Sequence, residues 1–286
     1  MYVYMIFNVP TLKLLTGSIL VGLSGVFKLH IAFLLLGIAP DLKIYLACFL
    51  IIYATYTLDR AMDNEEDKIN RKELDSSRKD IALGFCFVSF LAGSLILSLK
   101  GLLFIAFLPI IIGYIYSKGI RIGSRKLKLK GNFGMKNLTV SLTWGSFIAG
   151  ISHGMANSNI VFLFIFPFFT IKSFINTVVY DFRDVKGDAI AGIKTLPICL
   201  GEIATRRLLQ GLHILLHLWI AASMLLMFVM VEAVLFLVSW SAGLIYTWFY
   251  TRQSPQNETK SRKFMRDALV DGEFILAVFI RTIIHL

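Results

Sequence analysis

The sequence predicts an all-α polytopic membrane protein, and two observations indicate this class. Apolar residues make up 57% of the 286 residues, charged residues make up 16%, and the mean hydropathy is +0.73. Soluble domains are roughly 45–50% apolar and about 25% charged. The apolar residues also fall in runs of about 20 with very little charge, which is the length that a helix needs to cross a bilayer. Together these features exclude a soluble globule, a disordered chain and a disulfide scaffold.

Nine apolar runs with polar or turn residues at their ends are candidate membrane spans. They cover residues 13–37, 43–62, 80–99, 101–118, 136–156, 159–183, 207–231, 233–250 and 267–286. Asp271, Glu273 and Arg281 interrupt the last run, so the alternative is eight spanning helices followed by a partly embedded tail. In either case we expect residues 1–286 to form a single transmembrane domain.

The basic residues lie almost entirely on one side of these runs. The N-terminal segment and the connections after the second, fourth, sixth and eighth runs hold 24 of the 29 Lys and Arg residues. Cytoplasmic segments carry such an excess, so we expect the N-terminus and residues 64–79, 119–135, 189–206 and 252–266 to face the cytoplasm. Membrane topology therefore explains the net charge of +11, and we expect no nucleic-acid partner.

Carboxylates with helical spacing follow two of the runs. Asp59, Asp63 and Asp67 are spaced i, i+4 and i+8 after the second run, so they share one face of a continuing helix. The sixth run ends with a similar group, spaced i, i+3 and i+7, which consists of Asp181, Asp184 and Asp188. Because both groups end a run on the cytoplasmic side, we expect them to lie at equal depth and to face each other.

Facing carboxylates repel one another, and a divalent cation relieves that repulsion. Proteins typically hold Mg²⁺ with one or two carboxylates together with the phosphates of a substrate. The two groups therefore predict a site for a Mg²⁺–diphosphate complex. The alternative is that each group is a solvated acidic helix end balanced by nearby Arg and Lys.

Basic and polar side chains extend this candidate site. Lys118 lies one helical turn after Tyr114 at the end of the fourth run, and we expect it to reach a phosphate. The other basic residues of that connection are typical of a loop that touches anionic lipid headgroups.

A lysine also lies at membrane depth. Lys172 is in the middle of the sixth run, where a charge is costly and usually faces the bundle interior or a water-filled cavity. It begins an i+4 series, with Asn176 next, that leads to Asp184 and Asp188. We expect Lys172 to hold a hydrogen-bond network or a polar part of a substrate. The alternative is that its side chain extends to the membrane interface.

The motifs together resemble the UbiA superfamily of intramembrane prenyltransferases over about residues 40–210. The family patterns NxxxDxxxD, YxxxK and DxxxD correspond to Thr55-x3-Asp59-x3-Asp63, Tyr114-x3-Lys118 and Asp184-x3-Asp188. The stretch DFRDVKGDAIAGIKTLPICLG is also similar to the family's D-x-x-G-D…G-x-K-T-L-P segment. One departure is Thr55, which replaces the asparagine of the first motif with a poorer group for a metal shell.

The resemblance implies nine helices around a central cavity that is open to lipid at one side and capped by cytoplasmic loops. It implies Mg²⁺-dependent transfer of a polyprenyl group from a prenyl diphosphate to a small acceptor, either an aromatic or quinone precursor or a prenylated glycerol phosphate. The candidate catalytic residues are Asp59, Asp63, Asp184 and Asp188. The same four residues and Asp181 are the candidate metal ligands. The candidate substrate-binding residues are Thr55, Tyr114, Lys118, Lys172, Asn176 and Lys194.

Two hypotheses from other functional classes compete with the enzyme. Ionisable residues inside a membrane also mark the path of a transporter for a cation or an anionic metabolite. The carboxylates, however, are placed at one membrane face, and no pair of broken helices of the kind found in transporters is evident. A non-catalytic membrane scaffold would not require two matching Asp pairs.

Overall fold

The computed structural model describes residues 9–62, 74, 76–122, 125–127, 134–190, 192–252 and 259–284. The helices in chain order are α1 (Val9–Leu36), α2 (Leu42–Ala61), α3 (Lys79–Ser98), α4 (Leu103–Lys118), α5 (Met135–Ala156), α6 (Ile160–Ile190), α7 (Leu196–Leu200), α8 (Glu202–Leu225), α9 (Ala233–Phe249), α10 (Lys260–Arg266) and α11 (Glu273–Ile284). A 3₁₀ turn, Tyr250–Arg252, follows α9, and a π-helical turn, Asp267–Asp271, precedes α11.

The predicted all-α class is confirmed, with one small addition. Strands β1 (Ile120–Ile122) and β2 (Arg125–Leu127) pair antiparallel, with Ile120 opposite Leu127. This hairpin lies in the connection that the sequence predicted to be a loop.

Six helices in the described parts of the chain are long and apolar enough to cross a membrane. They are α1, α2, α3, α6, α8 and α9 with its extension to Arg252. The other predicted spans form α4, with 16 residues, α5, with 22 residues, and α11, with 12 residues. Because α4 and α11 are shorter and α5 is less apolar, the count of nine spans stays a prediction.

The chain separates into two compact units, which are described individually. The first unit comprises Met1–Val26 and Asp41–Gly131, and the second comprises Phe27–Pro40 and Asn132–Leu286. That the chain forms one transmembrane domain stays a prediction.

In the first unit, α2 is held at its start and along one face. The carboxylate of Asp41 accepts hydrogen bonds from the backbone N–H groups of Lys43 and Ile44, at 2.9 and 3.3 Å, and so caps the helix. Tyr53 and Ala61 of α2 are buried in an apolar cluster with residues of α1 and α3. This packing fixes the last turns of α2, which carry the first candidate motif.

In the second unit, α6 is the central helix. Its residues Ile175, Val178 and Phe182 are buried in an apolar cluster with side chains of α7, α8 and α9. Lipid is as apolar as this core, so helix association depends on close packing of small residues and on polar contacts. Gly145 of α5 illustrates this, because a Cβ there would lie 1.9 Å from the hydroxyl of Thr170.

The end of α6 agrees with the predicted i+4 series. The helix continues to Ile190, past the end of the predicted membrane span at residue 183, so Asp184 and Asp188 are part of it. Gly192 then adopts a φ of +70°, a conformation typical of glycine after a helix. The backbone N–H of Ile193 turns back to donate to the carbonyl of Asp188 at 2.8 Å. The second carboxylate group therefore lies on a regular helix surface.

Candidate functional site

The first motif contains a carboxylate held by a hydroxyl group. Asp59, in the last turn of α2, accepts a hydrogen bond of 2.7 Å from the Ser117 hydroxyl of α4. The Thr55 hydroxyl, one turn earlier, donates to the carbonyl of Ile51 at 2.9 Å. A Cβ at Gly113 would lie 3.1 Å from the Thr55 methyl group, so α2 and α4 approach closely here. The structure thus connects the first Asp motif to the helix that carries the YxxxK motif.

The two residues of the YxxxK motif are accessible. Tyr114 is 52% exposed and Lys118 is also exposed, on the same helix as Ser117. Two predicted carboxylates of the first group, Asp63 and Asp67, lie outside the described residues.

The second carboxylate group contains two buried carboxylates that share one cation. The side chains of Asp181 and Asp188 are 0% and 1% exposed, and the Lys136 ammonium lies 3.0 Å from an oxygen of each. The amide of Asn137 donates to the other oxygen of Asp181 at 2.7 Å. Lys136 and Asn137 belong to the first turn of α5, so α5 supplies every one of these contacts to α6.

The third carboxylate of this group has a different environment. Asp184 accepts two hydrogen bonds of 2.6 Å from the guanidinium of its neighbour Arg183, and its side chain is 14% exposed. Lys194, after the helix end, is exposed. Asp184 and Lys194 are therefore more exposed than Asp181 and Asp188 are.

Lys172 lies in a polar network deep in the second unit. Its ammonium is 2.8 Å from the carboxylate of Glu273 in α11, and both side chains are fully buried. The Ser239 hydroxyl donates to the same carboxylate at 2.6 Å. Asn176, one turn along α6, accepts from the Tyr246 hydroxyl at 3.0 Å and donates to the carbonyl of Val270 at 3.2 Å. The described contacts of this part of the i+4 series are thus protein groups, and a substrate contact of Lys172 or Asn176 stays a prediction.

The same network explains the charges that interrupt the ninth apolar run. Glu273 binds Lys172, Asp271 accepts a hydrogen bond from Tyr180, and Arg281 binds Glu232 through two hydrogen bonds of 2.6 Å. Each charge on the last run therefore has a partner within the second unit. Buried charges that are paired in this way are much less costly than isolated ones.

The donor set fits a magnesium ion that arrives with a substrate. Among the described residues, no three His, Cys, Asp or Glu side chains converge into a metal cage. Mg²⁺ does not require one, because it usually keeps several waters and binds one or two carboxylates plus substrate phosphates. Each unit by itself carries oxygen ligands of the kind that this ion prefers: Asp59 near the end of α2 in the first unit, and Asp184 and Asp188 near the end of α6 in the second.

Sequence reasoning missed three polar contacts of this site. Ser117, Lys136 and Asn137 were not predicted to be site residues, although Ser117 directly precedes Lys118 of the YxxxK motif. Lys136 and Asn137 lie in GMKNLTVSLTWG, a stretch that resembles the family segment after this motif, but no role followed from that resemblance. The position of Lys136 at the start of a predicted helix was the available signal. Spacing along one segment of the chain, however, does not predict that a side chain contacts a different helix.

Comparison with known proteins identifies the family of the chain. The sequence profile of the UbiA prenyltransferase family matches residues 13–269. The chain belongs to this family. The family resemblance inferred from the Asp motifs is therefore confirmed, and the chain is an integral membrane protein.

Curated relatives within the UbiA family carry a more specific name. A digeranylgeranylglyceryl phosphate synthase of Sulfolobus acidocaldarius is 34% identical over 166 residues, which cover 54% of this chain and 56% of that protein. Another protein of that name, from Thermococcus gammatolerans, is 31% identical over 195 residues, which cover 64% of this chain and 65% of the relative. The matched part of the chain thus spans less than two thirds of either relative.

A solved structure from the family has the same fold over almost the whole chain. The structure of a UbiA homologue from Archaeoglobus fulgidus bound to GPP and Mg²⁺ superposes with a TM-score of 0.64 at 17% identity. The superposition covers 95% of this chain and 99% of that one. The likeness establishes the UbiA fold for this chain.

Proposed function

We propose that the protein transfers a geranylgeranyl-type polyprenyl group from its diphosphate to a glycerol phosphate that already carries one prenyl ether. Family membership supports the transfer of a prenyl group. The name shared by the curated relatives supports the acceptor, because digeranylgeranylglyceryl phosphate carries two prenyl groups on one glycerol phosphate. The same family match favours this enzyme over the transporter and the scaffold.

The proposed reaction exchanges one carbon–oxygen bond for another. The bond between the allylic carbon and the diphosphate oxygen breaks, and the diphosphate leaves with both electrons. A hydroxyl oxygen of the acceptor forms the new bond to that carbon and gives up its proton to water or to a basic group. The residues must therefore bind a diphosphate and stabilise the negative charge that grows on it.

We assign this task to the two Asp motifs. Asp59 and Asp63 of the first motif, and Asp184 and Asp188 of the second, would hold Mg²⁺ together with the diphosphate. When bound, the metal would neutralise the charge that develops on the leaving group. The observation that supports this assignment is that a cation, the Lys136 ammonium, lies 3.0 Å from both Asp181 and Asp188.

Exposed cations near the motifs would bind the phosphate groups. Lys118 follows Asp59's partner Ser117 on α4, and Lys194 follows the end of α6. Both side chains are exposed, so both ammonium groups can approach a diphosphate that enters from the aqueous side. A lysine binds phosphate as a compact, flexible point charge.

We infer that this end of the chain faces the cytoplasm, and a native cysteine can test it. Cys199 is exposed and lies in the connection 189–206, whereas Cys48 and Cys86 are buried. A membrane-impermeant maleimide should label Cys199 only from the cytoplasmic side of sealed vesicles, and Cys199→Ser should remove the label. A cysteine at Lys100, added in the Cys199→Ser background, should be labelled only from the opposite side. The reverse pattern would contradict the orientation.

The enzyme activity is tested with purified protein, radiolabelled geranylgeranyl diphosphate and geranylgeranylglyceryl phosphate. Digeranylgeranylglyceryl phosphate should form with Mg²⁺ and should not form with EDTA. A parallel reaction with an aromatic acid tests the other acceptor class, and product in that reaction alone would replace the proposed acceptor. Failure of a folded protein to form any prenylated product with either acceptor would contradict the proposed function.

A further inference from the structure

We propose that Lys136 is a counter-cation for the second carboxylate group. Without substrate its ammonium neutralises Asp181 and Asp188, and it moves away from Asp188 when a metal–diphosphate complex binds. The inference rests on the proposed function in one respect, because it takes Asp188 to be a ligand of the substrate-bound metal. Lys136 lies outside the three family motifs, and its role follows from its contacts in this structure.

The geometry makes Lys136 the cation that neutralises two buried carboxylates. Its ammonium is 3.0 Å from both Asp181 and Asp188, whose side chains are 0% and 1% exposed. The two aspartates are two helical turns apart on α6, so they would repel each other across a poorly hydrated surface. An ammonium placed between them removes most of that repulsion, and the amide of Asn137 supports the arrangement through Asp181.

The same contacts place Lys136 in competition with a metal ion. A divalent cation that binds Asp188 would share the carboxylate whose Oδ2 the ammonium already contacts, and two cations at one carboxylate repel each other strongly. Lys136 has room to move away, because 19% of its side chain is exposed although both of its partners are buried. Its flexible four-carbon stem allows the ammonium to turn toward the aqueous side without movement of α5.

The consequence is that a bare metal ion binds this group poorly. A metal alone must displace the ammonium without compensation. A metal that arrives with a diphosphate brings phosphate oxygens, which offer the displaced ammonium a new anionic partner. Lys136 therefore makes metal binding depend on the substrate, and its replacement should weaken that dependence.

The test measures binding of Mn²⁺ alone, since this ion shares the oxygen ligands of Mg²⁺ and its free concentration can be followed by electron paramagnetic resonance. Lys136→Gln should bind Mn²⁺ about tenfold more tightly than the wild type in the absence of any diphosphate, because a competing charge has been removed. The control Lys186→Gln removes one exposed positive charge from the same helix end and should change the affinity by less than about twofold. An unchanged or weaker affinity in Lys136→Gln would overturn the proposal.

A charge-conserving variant keeps the test decisive if Lys136→Gln does not fold. Lys136→Arg retains the positive charge, so its affinity for Mn²⁺ alone should equal that of the wild type or be weaker. A tighter affinity in this variant would contradict competition between the side chain and the metal.

Neither measurement requires catalysis. A protein that forms no prenylated product can still show the tenfold difference in Mn²⁺ affinity, in which case the proposed function fails and the role of Lys136 stands. Normal product formation with equal Mn²⁺ affinities would mean that the proposed function stands and the role of Lys136 fails.

Discussion

The two Asp motifs are held by different kinds of partner. Asp59 is half-buried and accepts a hydrogen bond from the neutral hydroxyl of Ser117. Asp188 is buried and lies beside the ammonium of Lys136, which it shares with Asp181. A hydroxyl orients a carboxylate without offsetting its charge, whereas an ammonium offsets that charge. At Asp188 a metal must therefore compete with an ammonium group of the protein itself.

The largest expected effect comes from removing a carboxylate of either motif. Asp59→Asn and Asp188→Asn should each lower turnover about 10²-fold or more, because the charge on the leaving diphosphate loses part of its stabilisation. Both variants should remain folded and extractable. Asp67→Asn serves as the control, since this residue lies outside the core motif spacing, and it should retain most of the activity. Near-normal turnover in both motif variants would contradict the assignment of Asp59 and Asp188 to the metal–diphosphate site.

The buried ion pair of Lys172 and Glu273 tests how much a cation partner that stays in place contributes to the stability of the protein. Lys172→Met and Glu273→Gln should each lower the free energy of unfolding by about 3 kcal/mol, because each leaves a buried charge without its partner. The double variant should recover most of that loss, since it leaves neither charge. Titration with SDS in mixed micelles provides the measurement. Equal stability of all four proteins would mean that the pair does not anchor α11 to α6.

A smaller effect is expected at the neutral partner of the first motif. Ser117→Ala should raise the KM for the prenyl diphosphate about fivefold with little change in kcat, because one hydrogen bond that orients Asp59 is lost. Ser117→Thr keeps the hydroxyl and is the matched control. A loss of turnover as large as that of Asp59→Asn would show that Ser117 does more than orient the carboxylate.

The smallest effect is expected away from both motifs, at the start of α2. Hydrogen bonding to Lys100 holds the pKa of Asp41 below its usual value, and Asp41 also caps the helix. Asp41→Asn, which keeps a capping side chain, should cost less than about 1 kcal/mol of stability above pH 5. Because the folded-state pKa is the lower one, this contribution is present above the unfolded pKa of about 3.9 and is lost as the pH falls. Stability that is identical in the two proteins at pH 7 would show that the ion pair contributes nothing.

Much of the fold was predictable because membrane helices follow from local composition. Each of the nine apolar runs contains a helix, and the all-α class is correct. The i+4 series from Lys172 to Asp188 correctly indicated that α6 continues past the predicted membrane span, and the helix ends at Ile190. The weak ninth run was hard to judge, since Glu273 and Arg281 are charges whose partners lie on distant parts of the chain.

The candidate site was predictable only where its residues repeat within one helix. The i+4 spacing identified Asp59, Asp63, Asp184 and Asp188 as groups. Lys136 and Ser117 contact these groups from other helices, and no periodicity in the sequence indicates a contact between segments that are 52 and 58 residues apart. Sequence patterns thus grouped the candidate carboxylates, whose role stays a prediction, but did not indicate the side chains from other helices that contact them.

The central claim is that the Asp motifs bind a divalent cation jointly with a diphosphate. Its most direct test is the affinity of the wild type for Mn²⁺ with and without saturating geranylgeranyl diphosphate, corrected for the metal that the diphosphate binds in protein-free micelles. The account predicts at least about tenfold tighter binding with the diphosphate, and an equal gain in diphosphate affinity with the metal, because the coupling is reciprocal. The gain should be absent in Asp188→Asn. Equal Mn²⁺ affinity with and without the diphosphate would contradict the account.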